Sequence, residues 1–430
     1  MTNRGLAVPR YGMLIAILTC LPLTTFVQTI TSEVRAQEGP QPAPSQRNSA
    51  GDQARIAEAP HTSTDSLVVQ VGNALARGEL DSARGLVPKL LQVPGLTADV
   101  LLQVGVSLAQ HDLYSEASRV FRRCTTDHPE VFEGFYNLSL AQLALQRPQD
   151  ALETLAKAPR ASPSGELART YLRGKIESAL RLDAEAERDL SAAFAAAPQD
   201  ENFGLDLGLC YIRERKYQAA AETFQKALGF HKNSPYLRLG LAVAQYLGGL
   251  AADSMETCRT LLSLQPDFSP ARVMMAFALY MQGRVDEAAN LSAQGLRDPS
   301  PFPYLYYIHA AALLKLQSKD YGTMLHDLTL AVQSIPRCAL CYLALSKVHR
   351  RKSELETATT DLRTALRLDP TLAEAWYNLA LVDDQAGRHA EAEQARREFE
   401  RVKETKAHLE TEMLQDAFLK TLGEDGLLQK

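Results

Sequence analysis

The sequence predicts an all-α solenoid, in which helix-turn-helix units stack in tandem and bury one face against their neighbours. The composition favours helices, because the chain is 46% hydrophobic but only 7% aromatic. At 430 residues the chain is too long for one compact core, and a one-dimensional stack avoids that limit. The third observation is a motif that recurs at nearly constant spacing along most of the chain.

Residues 201–234 are the clearest copy of this motif. The pattern predicts two short helices joined by a polar turn at Arg215 and Lys216. Small and apolar residues recur at helical spacing on one face of each helix; they are Leu207, Gly208, Tyr211, Ala220, Phe224 and Ala227. Neither helix can bury that face alone, so the unit requires neighbours.

Nine such units follow one another in steps of 34 to 36 residues. They begin at Ala98, Phe132, Leu167, Glu201, Pro235, Ser269, Leu305, Ala339 and Ala373. The eighth residue of every unit is Gly, Ala or Ser, and the twentieth is Ala or Ser except at Met324, which indicates close packing between the two helices. Arg173 departs from the otherwise apolar seventh position.

The longest step, of 36 residues, coincides with the Pro-rich segment 298–307. Because Pro299, Pro301 and Pro303 cannot continue a helix, the preceding helix is predicted to end near Arg297 and the repeat to become irregular there. Before the nine units, residues 65–97 predict a degenerate first hairpin, as expected of a terminal repeat.

From about Ser66 to Phe399 the chain resembles a tetratricopeptide repeat protein. The resemblance rests on the fourth unit described above and on the last unit, which contributes Trp376, Leu379, Ala380 and Ala392. It implies a right-handed α-solenoid whose first helices line a concave groove. It also implies that the second, fifth, ninth and twelfth residues of each unit face this groove, and that the protein is a non-catalytic scaffold.

The units that begin at Pro235, Ser269 and Leu305 have the most apolar and aromatic residues at those groove positions. We expect the partner-binding groove to contain Tyr236, Leu239, Val243, Tyr246, Val273, Phe277, Tyr280, Tyr306, His309 and Leu313. For each residue the alternative is that it completes the core between neighbouring helices. The carboxylate grip of co-chaperones in this family, a Lys at the fifth and an Asn at the ninth position, is absent from the sequence.

The two ends of the chain lie outside the repeats. Residues 1–36 have the pattern of a signal peptide, with Arg4 and Arg10 before an apolar run and Ala36 before a cleavage position. An uncleaved anchor at residues 13–30, or a lipoprotein signal at Cys20, are the alternatives. Residues 37–64 predict a disordered linker rich in Pro, Ser and Gln. The nine units fill residues 98–401, and residues 402–430 predict a capping helix and tail, with a coiled-coil dimer as the alternative.

Catalytic and metal-binding motifs are not evident. The sequence lacks a P-loop, H-E-x-x-H and G-x-S-x-G, so we expect no enzyme activity, no cofactor and no metal. Cys338 and Cys341 form a C-x-x-C, interpreted as two small buried residues or a local disulfide. Cys124, Cys210 and Cys258 fall at positions predicted to be buried.

Net charge bears on the kind of partner. The formal charge is −5, and the short basic cluster at residues 349–352 is interpreted as a solvated helix end, so nucleic acid is not an expected partner. We expect an exported scaffold of the cell envelope, periplasmic or extracellular, that binds an apolar or amphipathic segment of another protein in its concave groove. The alternative is a structural subunit of an outer-membrane, pilus or secretion assembly. The sequence leaves the partner and the oligomeric state open.

Overall fold

A computed structural model describes residues 62–299, 301–335 and 337–403. The predicted signal peptide, most of the linker and the capping helix beyond Lys403 lie outside these residues. The described residues form twenty α-helices and no strands, so the predicted all-α helical-repeat solenoid is confirmed. None of these helices is long and apolar enough to cross a membrane. The chain divides into two compact units, the first ending at Ala196 and the second beginning at Ala197.

The first unit contains four helical hairpins. Their helices are α1 Thr62–Ala76, α2 Leu80–Leu90, α3 Ala98–Gln110, α4 Tyr114–Asp127, α5 Phe132–Ala144, α6 Pro148–Ala156, α7 Pro163–Ala179 and α8 Asp183–Ala196. The hairpin α1–α2 lies where the sequence predicts the degenerate repeat. Helix α7 begins four residues before the predicted Leu167, because Pro163 is at its first turn and the Ser162 hydroxyl accepts a hydrogen bond from the Gly165 amide at 3.2 Å.

The second unit contains six hairpins. Their helices are α9 Glu201–Arg213, α10 Tyr217–Phe230, α11 Pro235–Leu247, α12 Ala251–Leu264, α13 Ser269–Met281, α14 Val285–Gly295, α15 Tyr304–Lys315, α16 Tyr321–Ser334, α17 Ala339–Arg351, α18 Leu355–Leu368, α19 Ala373–Gln385 and α20 His389–Val402. Five of the six first helices begin at the predicted residue. Helix α14 ends at Gly295, two residues before the predicted Arg297.

A residue with positive φ marks the same place in every hairpin, two residues after the first helix ends. Gly249, Gly283 and Gly387 supply it without strain, whereas Gln317 and Ser353 adopt it at φ of 55° and 63°. Gln317 follows Gly283 by 34 residues, but Ser353 follows Gln317 by 36. The second helix starts two residues after Gly249 and Gly283 but four residues after Gln317.

The two additional residues of the long step therefore lie in the turn between α15 and α16. The prediction that they lie in the Pro-rich segment was wrong. The prolines end α14 without disturbing the repeat, and the longer turn is closed by Asp320, whose carboxylate accepts from the Thr323 amide at 3.0 Å. Helix α15 is consequently in register with a unit that begins at residue 303, two residues before the predicted Leu305.

Aromatic rings from the second helices explain the small eighth residues. The buried Phe224 ring of α10 lies against Gly208 of α9, and any Cβ added at Gly208 would overlap that ring. The same ring also reaches the next hairpin, where a Cβ at Gly240 would lie 2.6 Å from it. Phe121 of α4 occupies the same place against Gly105 of α3. One ring thus packs into gaps that only glycine leaves open.

A second recurring feature is a polar pair between the two helices of a hairpin. The buried Asp189 carboxylate accepts a hydrogen bond from Arg173, which explains the departure at the seventh position. The equivalent Asp327 carboxylate is 2.6 Å from His309 Nδ1. In α18 the carboxylate Asp361 lies 3.8 Å from His349 Nε2, and its Oδ2 atom is buried without a hydrogen bond among the described residues.

The glycine packing predicts that Gly208→Ala destabilises the protein, although Ala favours a helix by about 1 kcal/mol. Overpacking against the Phe224 ring is expected to cost about 1–3 kcal/mol, so the unfolding midpoint in urea should fall. Gly229→Ala is the control, because Gly229 lies in α10 with no atom within 4 Å of the added Cβ. It should be neutral or stabilising. Equal effects of the two substitutions would contradict this packing.

The buried carboxyl of Asp361 predicts a pH-dependent stability. Burial raises the pKa of Asp361 to about 6 from an ordinary value of 3.8, against a smaller opposing effect of His349. A raised carboxyl pKa favours folding at low pH, and this contribution is lost as pH rises through 6.

Asp361→Asn should therefore unfold at a higher urea concentration than the wild type at pH 8, by about 2 kcal/mol. The difference should shrink toward pH 4. Glu391→Gln, which removes an exposed carboxylate from α20, controls for the loss of charge. A constant difference across this pH range would show that Asp361 does not titrate as stated.

Candidate partner-binding face

The first helices of the second unit form one continuous face. Each of α9, α11, α13, α15 and α17 contacts the first helix of the next hairpin, and the second helices of residues 197–403 make no comparable contacts with one another. The first helices therefore lie closer together and form the inner side of the stack. We call this surface the inner face, and number its positions from the start of each repeat unit.

Five of the predicted groove residues are buried within this stack. Leu239 and Val243 of α11, and Val273, Phe277 and Tyr280 of α13, are at most 7% exposed. Position nine of α13 faces the preceding first helix, as shown by the edge-on contact of Phe277 with Tyr246 at 5.8 Å between ring centroids. These side chains hold neighbouring hairpins together and offer a partner almost no surface.

The register of α15 changes the assignment of three further residues. A shift of two residues rotates a side chain by about 200° around a helix. Tyr306, His309 and Leu313 therefore do not occupy the inner-face positions predicted for them. They share a face that turns toward α16, where His309 pairs with Asp327. The residues of α15 in the inner-face positions are Tyr304, Tyr307, Ala311 and Leu314.

Three tyrosines at positions two or twelve retain exposed surface. Tyr236, Tyr246 and Tyr304 are half-buried. Tyr236 packs edge-on against Phe268, and Tyr304 stacks on Phe302, each at 5.8 Å between centroids. Ring contacts that fix a tyrosine in place reduce the entropy it loses on binding, which suits these side chains to anchor a partner. Sequence reasoning identified Tyr236 and Tyr246, and missed Tyr304 because of the register.

Cations lie at the C-terminal ends of α15 and α17. Lys315 Nζ lies 3.7 Å from the centre of the Tyr280 ring, which it covers. Arg351 Nη2 donates to the Leu314 carbonyl at 3.0 Å. The nitrogen Nε of Arg350 is buried without a hydrogen bond among the described residues. Among the residues that the structure describes, only His349 and Lys352 of the predicted basic cluster have a carboxylate at close range, Glu354 at 2.6 Å from each.

The described cysteines fall into two groups. Cys338 and Cys341 form a disulfide at the start of α17, with 5.2 Å between their Cα atoms. This outcome is the second of the two alternatives that the sequence left open. Cys124, Cys210 and Cys258 are buried, as predicted, and form no disulfide among the described residues. Burial raises the pKa of Cys124 to about 11 and that of Cys258 to about 12, so both thiols stay protonated at neutral pH.

Groups of three or more metal-ligating side chains are absent from residues 62–299, 301–335 and 337–403. What the inner face can do chemically is bind, through aromatic anchors, exposed apolar surface and cations. Together with the repeated hairpins, this face defines a helical-repeat protein of the kind that presents one long surface to a partner.

Comparison with known proteins identifies the repeat. A family model described as tetratricopeptide repeat matches residues 102–166 and 171–237, and a model described as TPR repeat matches residues 347–383. The chain is a tetratricopeptide repeat protein. The role that these repeats support is that of a scaffold which binds other proteins or peptides.

Individual relatives are distant. Superkiller complex protein 3 of Mus musculus is 26% identical over 130 residues, which are 30% of this chain and 8% of that protein. A tetratricopeptide repeat protein from Parabacteroides merdae has 18% identity and a TM-score of 0.44, covering 66% of this chain and 98% of its own. A thermophilic TPR protein from Thermus thermophilus has 24% identity and a TM-score of 0.35, covering 43% and 100% respectively.

Proposed function

We propose that this protein is an exported, non-catalytic scaffold of the cell envelope that binds an apolar or amphipathic segment of another protein. The binding site is the inner face of α11, α13 and α15. The observation that carries this proposal is the set of half-buried tyrosines Tyr236, Tyr246 and Tyr304, which lie along one face of successive first helices. Tyrosine is enriched among residues that dominate binding energy at protein interfaces.

Binding along this face requires little rearrangement of the stack. The side chains at positions five and nine are already packed between the first helices, so a partner segment meets a preformed surface. Met281, at the end of α13, adds apolar surface because it is 40% exposed. An apolar side chain of the partner would gain by covering the tyrosine rings and Met281 together.

Two separate features support an exported location. Residues 1–36 have the three-part pattern of a secretory signal. The disulfide between Cys338 and Cys341 is the second feature, because disulfides persist in oxidising compartments such as the bacterial periplasm. Their combination favours a periplasmic or extracellular protein over one retained in the cytosol.

The alternative, a structural subunit of an envelope assembly, is favoured by apolar residues at the edges of the stack. Leu250 lies in the turn before α12, and Phe230 and Leu264 lie at the ends of α10 and α12; they are 54%, 55% and 48% exposed. Edge surfaces of this kind can pack against a permanent neighbour. A permanent subunit would co-purify at fixed stoichiometry, whereas a scaffold for a short segment would exchange its partner.

The binding proposal predicts that a displayed library of random 12-residue peptides yields apolar and aromatic sequences when selected on the full-length protein. Tyr246→Ala and Tyr304→Ala should each weaken a selected peptide about tenfold, as expected for an interface anchor. Tyr306→Ala is the matched control, since Tyr306 lies two residues from Tyr304 on the α16-facing side of the same helix. Fluorescence anisotropy measures the affinities. Failure to select any peptide, or an equal loss with Tyr306→Ala, would refute this site.

The location predicts a mature protein that begins at Gln37 and carries an oxidised Cys338–Cys341 pair. Mass spectrometry of the protein from fractionated bacterial cells should find this N-terminus in the periplasmic or external fraction. Alkylation should modify Cys338 and Cys341 only after reduction. Full-length protein in the membrane fraction would support the anchor instead, and reduced thiols in the cytosol would contradict export.

A further inference from the structure

The first helices of the inner face have an unusual charge distribution. Helices α11, α13, α15 and α17 contain no Asp or Glu but six Lys or Arg residues. The second helices of the same hairpins, α12, α14, α16 and α18, contain seven acidic and three basic residues. The whole chain has a net charge of −5. Positive charge is therefore concentrated on the inner helices of a protein that is acidic overall.

Helix stability alone does not account for this distribution. The helix dipole favours cations in a last turn, which suits Lys315, Arg350 and Arg351, but it equally favours acids in a first turn. The first helices α3, α5, α7, α9 and α19 each have an acidic residue in their first turn. Helices α11, α13, α15 and α17 have none there. Acidic side chains on a surface that binds an anion would repel that anion, so recognition of an anion explains their absence.

The six cations are not equally available. Arg272 pairs with Asp298, Lys347 pairs with Glu374 at 2.7 Å, and Arg238 donates to the Lys232 carbonyl at 2.5 Å. Arg238, Lys315, Arg350 and Arg351 have no carboxylate partner among the described residues, and the last three share the C-terminal ends of α15 and α17. Lys315 lies over Tyr280, and Arg351 reaches back to Leu314, the residue before Lys315. These contacts place Lys315 and Arg351 together at the C-terminal ends of two adjacent inner helices, next to the Tyr280 ring.

We propose that the partner segment is acidic as well as apolar, and that its carboxylates bind Lys315, Arg350 and Arg351 while its apolar side chains cover Tyr236, Tyr246 and Tyr304. This inference rests on the proposed function and specifies the partner's chemistry. Guanidinium groups bind carboxylates with two parallel hydrogen bonds, and the half-buried position of Arg350 limits competition from water. The hydrocarbon part of the Lys315 side chain adds apolar surface that the apolar side chains of the partner can contact.

A protein segment fits this surface better than a nucleic acid. The four cations without a carboxylate partner among the described residues would neutralise few phosphates, and the net charge of −5 repels a polyanion at longer range. The partner would then be steered to the inner face by charge and held there by the aromatic rings.

The test uses peptides selected from the random 12-residue library on the full-length protein. They should be enriched in Asp and Glu beside apolar residues, and their affinity should fall at least tenfold between 50 and 500 mM NaCl, because exposed charges are screened by salt. Arg350→Gln/Arg351→Gln should weaken binding tenfold or more. Arg363→Gln/Arg367→Gln, which removes two exposed cations from α18 of the same hairpin, should change it less than twofold.

Each other result has a defined meaning. Selected peptides that depend on Tyr246 but lack acidic residues would overturn the inference and leave the proposed function standing. Equal losses in the two double variants would overturn it as well. Tighter binding of a 12-nucleotide single strand than of any peptide would identify the face as a nucleic-acid site. If Arg350→Gln/Arg351→Gln lowers the unfolding temperature, Lys315→Gln provides the same test without removing the hydrogen bond to Leu314.

Discussion

The close approach of two helices within each hairpin is the constraint on which the rest of the structure depends. In the second unit the Phe224 ring lies against Gly208 of its own hairpin and Gly240 of the next. A single side chain therefore fixes both the crossing within a hairpin and the spacing to its neighbour. Because the repeat passes this geometry along the chain, a larger residue at one glycine would displace more than one helix pair.

Much of this architecture was accessible from the sequence. Small residues at the eighth and twentieth positions predicted the crossing, and most first helices begin at the residue that the 34-residue period indicated. These predictions succeeded because glycine and alanine are required by local packing, which depends on neighbours at fixed spacing. The exception at Arg173 also has a local explanation. This polar residue at an otherwise apolar position forms an ion pair with Asp189 of the other helix of the hairpin.

The register of α15 could not be obtained in this way. The prolines at 299, 301 and 303 draw attention to the segment before α15. The sequence alone allows the two extra residues of the 36-residue step to lie either before or after this helix. Ala310 and Ala312 are both small and both fully buried, so the eighth position did not distinguish the two registers. The positive φ at Gln317 settles the question, and glutamine gives no sign of that conformation in the sequence.

The stacking of the hairpins gives different positions of the repeat different roles. Positions five and nine hold adjacent first helices together, so their apolar character indicates stability rather than binding. Positions near the helix ends are less constrained by packing, because their side chains extend beyond the contact between hairpins. These positions can therefore differ between repeat proteins according to the partner that each binds. Tyr246 and Lys315 lie at such ends, and Lys315 covers the Tyr280 ring of the preceding first helix. The residues that distinguish this inner face from any other stack of hairpins are thus tyrosines and cations that the packing constraint does not dictate.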